Sequence, residues 1–271
     1  MKKSKLLWIL SITLIIINLI WYTTRLGGDN VLTIVGDTLP VICSFISAIC
    51  LYLAVKGFQQ LDFTKKAWLL IFIGISLSFI AELLYSIFEV GMGKDMNEYF
   101  PSLADYFWCA GYIPMFIGLL TMFIGYKKSG FPMGNKMVYL LLSFVYLILF
   151  IAVSYFLLYN MIVDEESSGI QKFFNLFYPV ADTFLVIPAF ILMYITSLFG
   201  GGSISKPWKY LALGYICFTF ADLIYGYLNW QGKYESGNFI DIAWHIGYLL
   251  IGLAGLYQRE LIDSFKEGIE K

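Results

Sequence analysis

Residues 137–160 read MVYLLLSFVYLILFIAVSYFLLYN, from Met137 to Asn160 without one charged side chain. A helix crosses the hydrocarbon core of a bilayer in about 20 apolar residues. This run is long and unbroken and lacks the strict alternation of a barrel strand, so it is expected to be a transmembrane helix. Backbone polar groups in lipid must be satisfied internally, which also demands helices or a closed barrel.

Seven further stretches follow the same pattern, giving spans at roughly 6–22, 33–55, 67–90, 104–125, 137–160, 173–198, 208–228 and 239–257, with Lys209 at the very start of the seventh as the single Lys or Arg inside these bounds. The composition agrees: 59% of residues are hydrophobic, 19% aromatic and 14% charged. A soluble domain carries about 45–50% apolar and about 25% charged residues. There is too little polar surface here to cover a water-soluble globule, which excludes an ordinary soluble enzyme, a disordered chain and a nucleic-acid binder. Lys2, Lys3 and Lys5 precede the first run as in a signal peptide, but no small-x-small cleavage site follows, so Leu6–Tyr22 is read as a retained span.

The basic residues set the orientation. With the N-terminus in the cytoplasm, fourteen of the eighteen Lys and Arg side chains fall on the cytoplasmic side and only Arg25, Lys94, Lys172 and Lys233 outside. The expected topology is eight spans, N-in and C-in, in a cell membrane.

The chain also repeats itself. Gly36-Asp37-Thr38-Leu39 resembles Ala181-Asp182-Thr183-Phe184, and Ala81-Glu82-Leu83-Leu84-Tyr85 resembles Ala221-Asp222-Leu223-Ile224-Tyr225. Asp105, Trp108, Gly111 and Tyr112 recur at Asp241, Trp244, Gly247 and Tyr248. The matches imply two parallel four-helix repeats, 1–132 and 133–271, with a shared cavity between them. Gly200-Gly201-Gly202-Ser203 lacks the Gly-Lys-Ser/Thr of a phosphate cradle and reads as a flexible linker. Gln258–Lys271 reads as a short, solvated helical tail.

Function is expected where acids enter the membrane. Asp37, Glu82, Glu89, Asp105, Asp182, Asp222 and Asp241 fall inside spans, all toward the outer end. Six form matched triads, Asp37/Glu82/Asp105 and Asp182/Asp222/Asp241; Glu89 has no counterpart and sits at the lip. Asp105 follows Ser102 by three and Asp241 follows Asn238 by three, the spacing of helix capping boxes. Asp182 follows Pro179, which suits a helix start, and Asp37 three residues before Pro40 allows the same first-turn role. Glu82 and Asp222 resist this explanation. They lie near helix C-termini, where the dipole disfavours a carboxylate. A charged acid in the bilayer centre costs about 2.5–3.5 kcal/mol on insertion scales, less near the interface, and normally marks a site. Three outcomes are open for the pair: protonated acids, a structural hydrogen-bonded role with Tyr, Trp, Ser or Thr, or a bound cation.

The neighbours are aromatic. Tyr85 and Tyr225 stand three residues after Glu82 and Asp222, on the same helix face; Trp108 and Trp244 stand three after Asp105 and Asp241. Acids with aromatic walls bind organic cations through charge and ring faces. The competing reading is an interfacial aromatic belt. His245, the single histidine, is either a proton-sensitive member of the site or a satisfied interior residue. One histidine makes neither a bis-histidine haem nor a multi-histidine zinc site, and with no lysine deeper in a span than Lys209 at its cytoplasmic edge a retinal Schiff base is excluded. No cofactor is expected. Cys43, Cys50, Cys109 and Cys217 read as small buried residues. Pro40, Pro114 and Pro188 should kink spans 2, 4 and 6.

The run Pro101-Ser102-Leu103-Ala104-Asp105-Tyr106-Phe107-Trp108-Cys109-Ala110-Gly111-Tyr112-Ile113-Pro114 resembles a P-S-x-A-D-x-F/Y…G-Y-P box. That box occurs in the N-terminal multi-span sensory regions of some bacterial and archaeal diguanylate cyclases and sensor histidine kinases. The resemblance covers spans 3–4 and, more weakly, 7–8, with Ile113 interposed before Pro114. It implies a membrane sensory module. No output domain follows Lys271, so a cytoplasmic signalling partner would carry the signal.

The expected function is a membrane sensory or ligand-binding module. Its outward-facing acidic-aromatic cavity would take a proton, a metal cation or an organic amine. Asp37, Glu82, Asp105, Asp182, Asp222 and Asp241 would supply charge, and Tyr85, Trp108, Tyr225 and Trp244 the wall, with His245 beside them. The alternative is a cation- or proton-coupled transporter, against which stands the lack of any inner-half acid. An intramembrane hydrolase ranks last, because no nucleophile motif or metal triad is present. The expected partners are the lipid bilayer, a small cationic ligand or proton, and that cytoplasmic protein.

Overall fold

The computed structural model describes residues 2–94, 96, 99–199 and 202–269, and every regular element among them is a helix. The helices are α1 (Lys3–Thr24), α2 (Asp29–Gly57), α3 (Phe63–Ser86), α4 (Leu103–Lys128), α5 (Lys136–Val163), α6 (Gly169–Ser197), α7 (Lys206–Trp230) and α8 (Asp241–Ile269). A π-helical turn, Ile87–Gly91, extends α3. Seven of these segments, α1 to α7, are long and apolar enough to cross a membrane. The fold is an all-helical, multi-pass membrane bundle.

The helix α8 is not among the seven, although it has 29 residues. Asp241 and His245 lower its apolarity, and it runs against α1, α2 and α7. A helix sheathed by protein needs no lipid-compatible surface. The opposite holds for α5, which packs chiefly on α6 and α7, is uncharged from Met137 to Val163 and leaves most of its large apolar side chains exposed.

The starts of the helices are chemically marked. The Asp62 carboxylate caps α3 by accepting from Lys65 N at 2.8 Å, and Asn135 caps α5 by accepting from Met137 N at 2.9 Å. Ser168 with Gln171 forms a capping box on α6. That box overturns the first-turn reading of Asp182, which lies far inside a helix that begins at Gly169; Pro179 is interior as well. The helix α2 begins at Asp29, so Asp37 is also two turns inside it rather than in its first turn. Of the glycine linker, Gly200 and Gly201 lie outside the described residues, and Gly202 starts the turn into α7.

Glycines set the closest helix crossings. A Cβ on Gly111 would stand 2.8 Å from the Gly74 carbonyl oxygen, where α3 meets α4. A Cβ on Gly214 would stand 2.9 Å from the Gly247 oxygen, where α7 meets α8. Removing the side chains lets the backbones touch, the usual device for packing helices in lipid. On Gly255 a Cβ would meet the Cys50 backbone at 2.8 Å, which brings α8 against α2. Deeper in the bundle the fully buried Trp68 and Trp208 rings face each other at 5.2 Å.

The C-terminal segment is helical as expected but not free. It continues α8, and its side chains hold neighbouring helix ends. The Glu260 carboxylate accepts from Ser4 N and Ser4 Oγ, both at 2.9 Å, and Lys266 Nζ donates to the Gly57 carbonyl at 3.0 Å. Glu270 and Lys271 lie outside the described residues.

Candidate functional site

At one end of the bundle a cavity of about 120 Å3 lies among α2, α3, α4, α6, α7 and α8. Its wall contains Asp37, Glu82, Asp105, Asp222 and Asp241, together with Tyr85, Trp108, Tyr225 and Trp244. Nine of the eleven site residues expected from sequence therefore meet around one space. No Lys, Arg or His is part of the wall among the described residues.

Glu82 and Asp222 form the centre. The Trp108 indole donates from Nε1 to Glu82 Oε1 at 3.2 Å, and the Trp244 indole donates to Asp222 Oδ1 at 2.7 Å. Each indole comes from the helix that follows its acid in the chain. The Tyr248 hydroxyl, from α8, donates to Glu82 Oε1 at 2.7 Å. The Tyr112 hydroxyl, from α4, donates to Asp182 Oδ1 at 2.9 Å and reaches Asp222 Oδ2 at 3.5 Å. Each acid is thus held by a tryptophan from its own half of the chain and a tyrosine from the other. Tyr85 lies against Trp108 with ring centroids 5.9 Å apart, and Tyr225 against Trp244 at 5.6 Å.

The remaining acids are held at the rim. Asp105 completes the capping box of α4: its Oδ2 accepts from Ser102 N at 2.5 Å, while Oδ1 accepts from Tyr178 OH at 2.6 Å. The capping and site roles of Asp105 coexist. Asp241 opens α8 and accepts from Gly237 N at 2.8 Å and Tyr234 OH at 3.0 Å. Gly237 adopts a φ of 92°, which favours glycine, and its backbone touches Gly36 so closely that a Cβ there would fall 2.4 Å from Gly237 N. Tyr234 sits in the loop before α8; burial, then the nearby Asp241, drives its hydroxyl pKa well above the usual phenolic range, so it stays a donor. Glu89 is not part of the cavity wall; its Oε2 accepts from Ser236 Oγ at 3.1 Å.

Two expected residues lie elsewhere. Asp182 is fully buried behind Asp222, joined to it by Tyr112. His245 points away from the cavity toward α1, where Asn18 Nδ2 meets its Nδ1 at 2.5 Å. Sequence reasoning missed Tyr178 and Tyr234 as acid partners. Tyr178 is 73 residues from Asp105, and Tyr234 lies in the loop before α8, seven residues ahead of Asp241 but outside its helix, so no shared helix face marked them. Tyr112 and Tyr248 were visible in the repeated Asp-x-x-Trp-x-x-Gly-Tyr pattern, but not as cross-half donors.

Five carboxyl groups around one space, with no basic side chain in its wall, can be accommodated as protonated acids, as carboxylates held by the indole, hydroxyl and backbone donors just described, or as ligands of a bound cation. Among the described residues, no group of three or more His, Cys, Asp and Glu side chains is placed to hold a metal ion. Fold and cavity define the class: a multi-pass helical membrane protein with an acid-lined cavity at one end. Compared with known proteins, the chain matches no family model, no curated protein and no solved structure.

Proposed function

We propose that the protein is a membrane sensory or ligand-binding module whose cavity takes a small organic cation. In this reading the cavity faces outward, both termini are cytoplasmic, and residues 1–132 and 133–271 are parallel repeats. The observation that carries it is the matched seating of Glu82 and Asp222, each beside an indole and a phenol ring, in a space without basic residues. Carboxylates supply the charge that attracts a cation, and the Tyr and Trp rings supply apolar faces for its methyl or methylene groups. An amine fits this wall better than a metal, because no metal-ligand cluster is found among the described residues.

The repeat is supported by packing as well as spacing. The Gly74–Gly111 crossing has its counterpart at Gly214–Gly247, and Trp68 meets Trp208 at the corresponding place in the second half. Binding without flux is supported by the apolar core beneath the cavity. Trp68 lies fourteen residues from Glu82 on α3, about 21 Å along the helix, and is fully buried. A signal would leave along α8, which runs from Asp241 at the cavity to Lys266 on the end of α2, toward a cytoplasmic partner.

The test is titration of the purified protein with methylammonium, tetramethylammonium and Mg2+, read by Trp fluorescence. Saturable binding of the ammonium ions is expected. One carboxylate at about 5 Å in an effective dielectric of about 20 contributes about 3 kcal/mol, so Glu82→Gln or Asp222→Asn should weaken binding roughly 100-fold. Equal responses from wild type and both variants would overturn the proposal.

A further inference from the structure

Asp182 is the acid that the cavity leaves unexplained. Its side chain is wholly enclosed, at 0% exposure, and is not part of the cavity wall. It sits in the middle of α6, thirteen residues after Gly169. Backbone N–H groups at such a place are used within the helix itself, so only other side chains can satisfy the carboxyl group.

The donors around it can be counted. Asp182 Oδ1 accepts from the Tyr112 hydroxyl at 2.9 Å, and Asp182 Oδ2 meets no donor. The Asp222 carboxyl group, from α7, lies within hydrogen-bond reach of the Asp182 carboxyl group. Asp222 Oδ1 accepts from Trp244 Nε1 at 2.7 Å, and Asp222 Oδ2 stands 3.5 Å from the Tyr112 oxygen. A phenol carries one hydrogen, which goes to the nearer acceptor, Asp182 Oδ1. Two hydrogens therefore serve four oxygen atoms. Ionised carboxyl groups only accept, so two of them facing each other would share no hydrogen and leave like charges side by side in a buried place. One added hydrogen closes the count: on Asp182 Oδ2 it engages the orphaned oxygen and gives the two groups the bond between them.

Nothing else near the pair supplies that hydrogen. The titratable groups that face Asp182 are Tyr112 of α4, Tyr146 of α5, and Tyr215 and Asp222 of α7. The Tyr215 hydroxyl is itself without a hydrogen-bond partner, and Tyr146 is engaged with Thr219. Those that face Asp222, besides Tyr112, are Glu82 of α3, Cys109 of α4, Tyr248 of α8 and Tyr225 of its own helix. None of these groups is a Lys, Arg or His, so no cationic side chain takes the place of a proton. Asp37, which the sequence matches with Asp182, is held differently: Tyr248 reaches Glu82, and Asp37 faces Ser236.

We propose that Asp182 and Asp222 form a proton-binding site behind the cavity wall, in which one proton stays on Asp182 and is donated to Asp222, the carboxylate that faces the cavity. The proton arrives through the cavity, because Asp222 reaches it and Asp182 does not. It binds Asp222 first and then crosses the hydrogen bond, the O–H of Asp222 breaking as that of Asp182 forms. Asp182 is thus a positioning residue, which aims the Asp222 charge and touches no ligand. A second proton, on Asp222, would cancel the charge presented to the cavity. The site holds its proton whatever the cavity takes.

The test is infrared absorption of the purified protein in neutral buffer, as wild type minus Asp182→Asn. A protonated carboxylic acid and a carboxylate absorb at separate stretching frequencies. Loss of one acid band, with carboxylate absorption unchanged, is expected. The new amide offers Asp222 the same hydrogen, so the melting temperature should match that of wild type. Loss of a carboxylate band, or a melting temperature above wild type as two like charges are relieved, overturns the proposal. Tyr112→Phe gives a second reading should Asp182→Asn fail to fold. It removes the donor to the carbonyl oxygen of the acid, so the acid band should move to higher frequency; an acid region identical to wild type overturns the proposal. Wild-type titration with methylammonium reads the cavity separately. Binding without the acid band sinks the pair and leaves the cavity standing; the acid band without binding does the reverse.

Discussion

Replacing Gly111 by alanine probes the packing that brings Glu82 and Trp108 together. The new Cβ would stand 2.8 Å from the Gly74 carbonyl oxygen and 3.4 Å from Ser78 Oγ. The nearer atom is backbone in the middle of α3 and cannot rotate away. A carbon and a carbonyl oxygen in ordinary contact lie about 3.3–3.6 Å apart, so α3 and α4 must part by about half an ångström. Overpacking of this kind costs about 1–3 kcal/mol, while alanine in place of helical glycine returns up to about 1 kcal/mol. A net loss of about 1–2 kcal/mol is expected.

Gly226→Ala is the control, inside α7, where the nearest atom is the mobile end of Leu158 at 3.2 Å. It should be neutral or gain up to about 1 kcal/mol. The two alanines should therefore differ by about 2 kcal/mol, a separation of roughly 5 °C in detergent thermal melts. A second readout follows from geometry. The Trp108–Glu82 bond of 3.2 Å spans the same pair of helices, and widening weakens it, so Trp emission should change in Gly111→Ala alone. A melting temperature for Gly111→Ala equal to or above that of Gly226→Ala would refute the crossing.

Tyr112→Phe removes the hydroxyl that joins Asp182 to Asp222 and leaves buried acid oxygens without their donor; thermal melts should show a loss of about 1–3 kcal/mol. Glu260→Ala releases both Ser4 bonds, so amide exchange at Ser4–Leu7 should quicken while ammonium binding in the cavity stays the same. The Trp230 indole, then the Ser167 hydroxyl and the Glu166 N–H, holds the Asp164 carboxyl below its ordinary 3.8. Because the folded value is the lower one, this link contributes above pH 3.8 and is lost as pH falls through the depressed value. Trp230 emission should follow that loss, and Asp164→Asn should abolish its acid dependence.

The helical membrane fold was legible in Met137–Asn160 and its seven companions, because lipid imposes long uncharged runs wherever a helix faces it. The same rule blurred α8, where protein rather than lipid surrounds the helix and Asp241 and His245 are tolerated. Helix starts were less legible. Pro179 and Pro40 carried a first-turn reading for Asp182 and Asp37 that the caps at Ser168 and the start at Asp29 displaced. Proline can sit inside a membrane helix when neighbouring groups satisfy the freed carbonyls.

What the sequence determined by itself was the set of acids and their aromatic neighbours, since a carboxylate inside an apolar run is visible without coordinates. Nothing local in the chain says which acids share a space. Tertiary packing brought Glu82 and Asp222 to one cavity, crossed Tyr112 and Tyr248 over to serve them, left Asp182 behind the wall, and turned His245 toward Asn18. Spacing along one helix fixes only which residues share its face. The partner that face meets is chosen by how closely helices can approach, and here glycines at 74, 111, 214 and 247 made that choice.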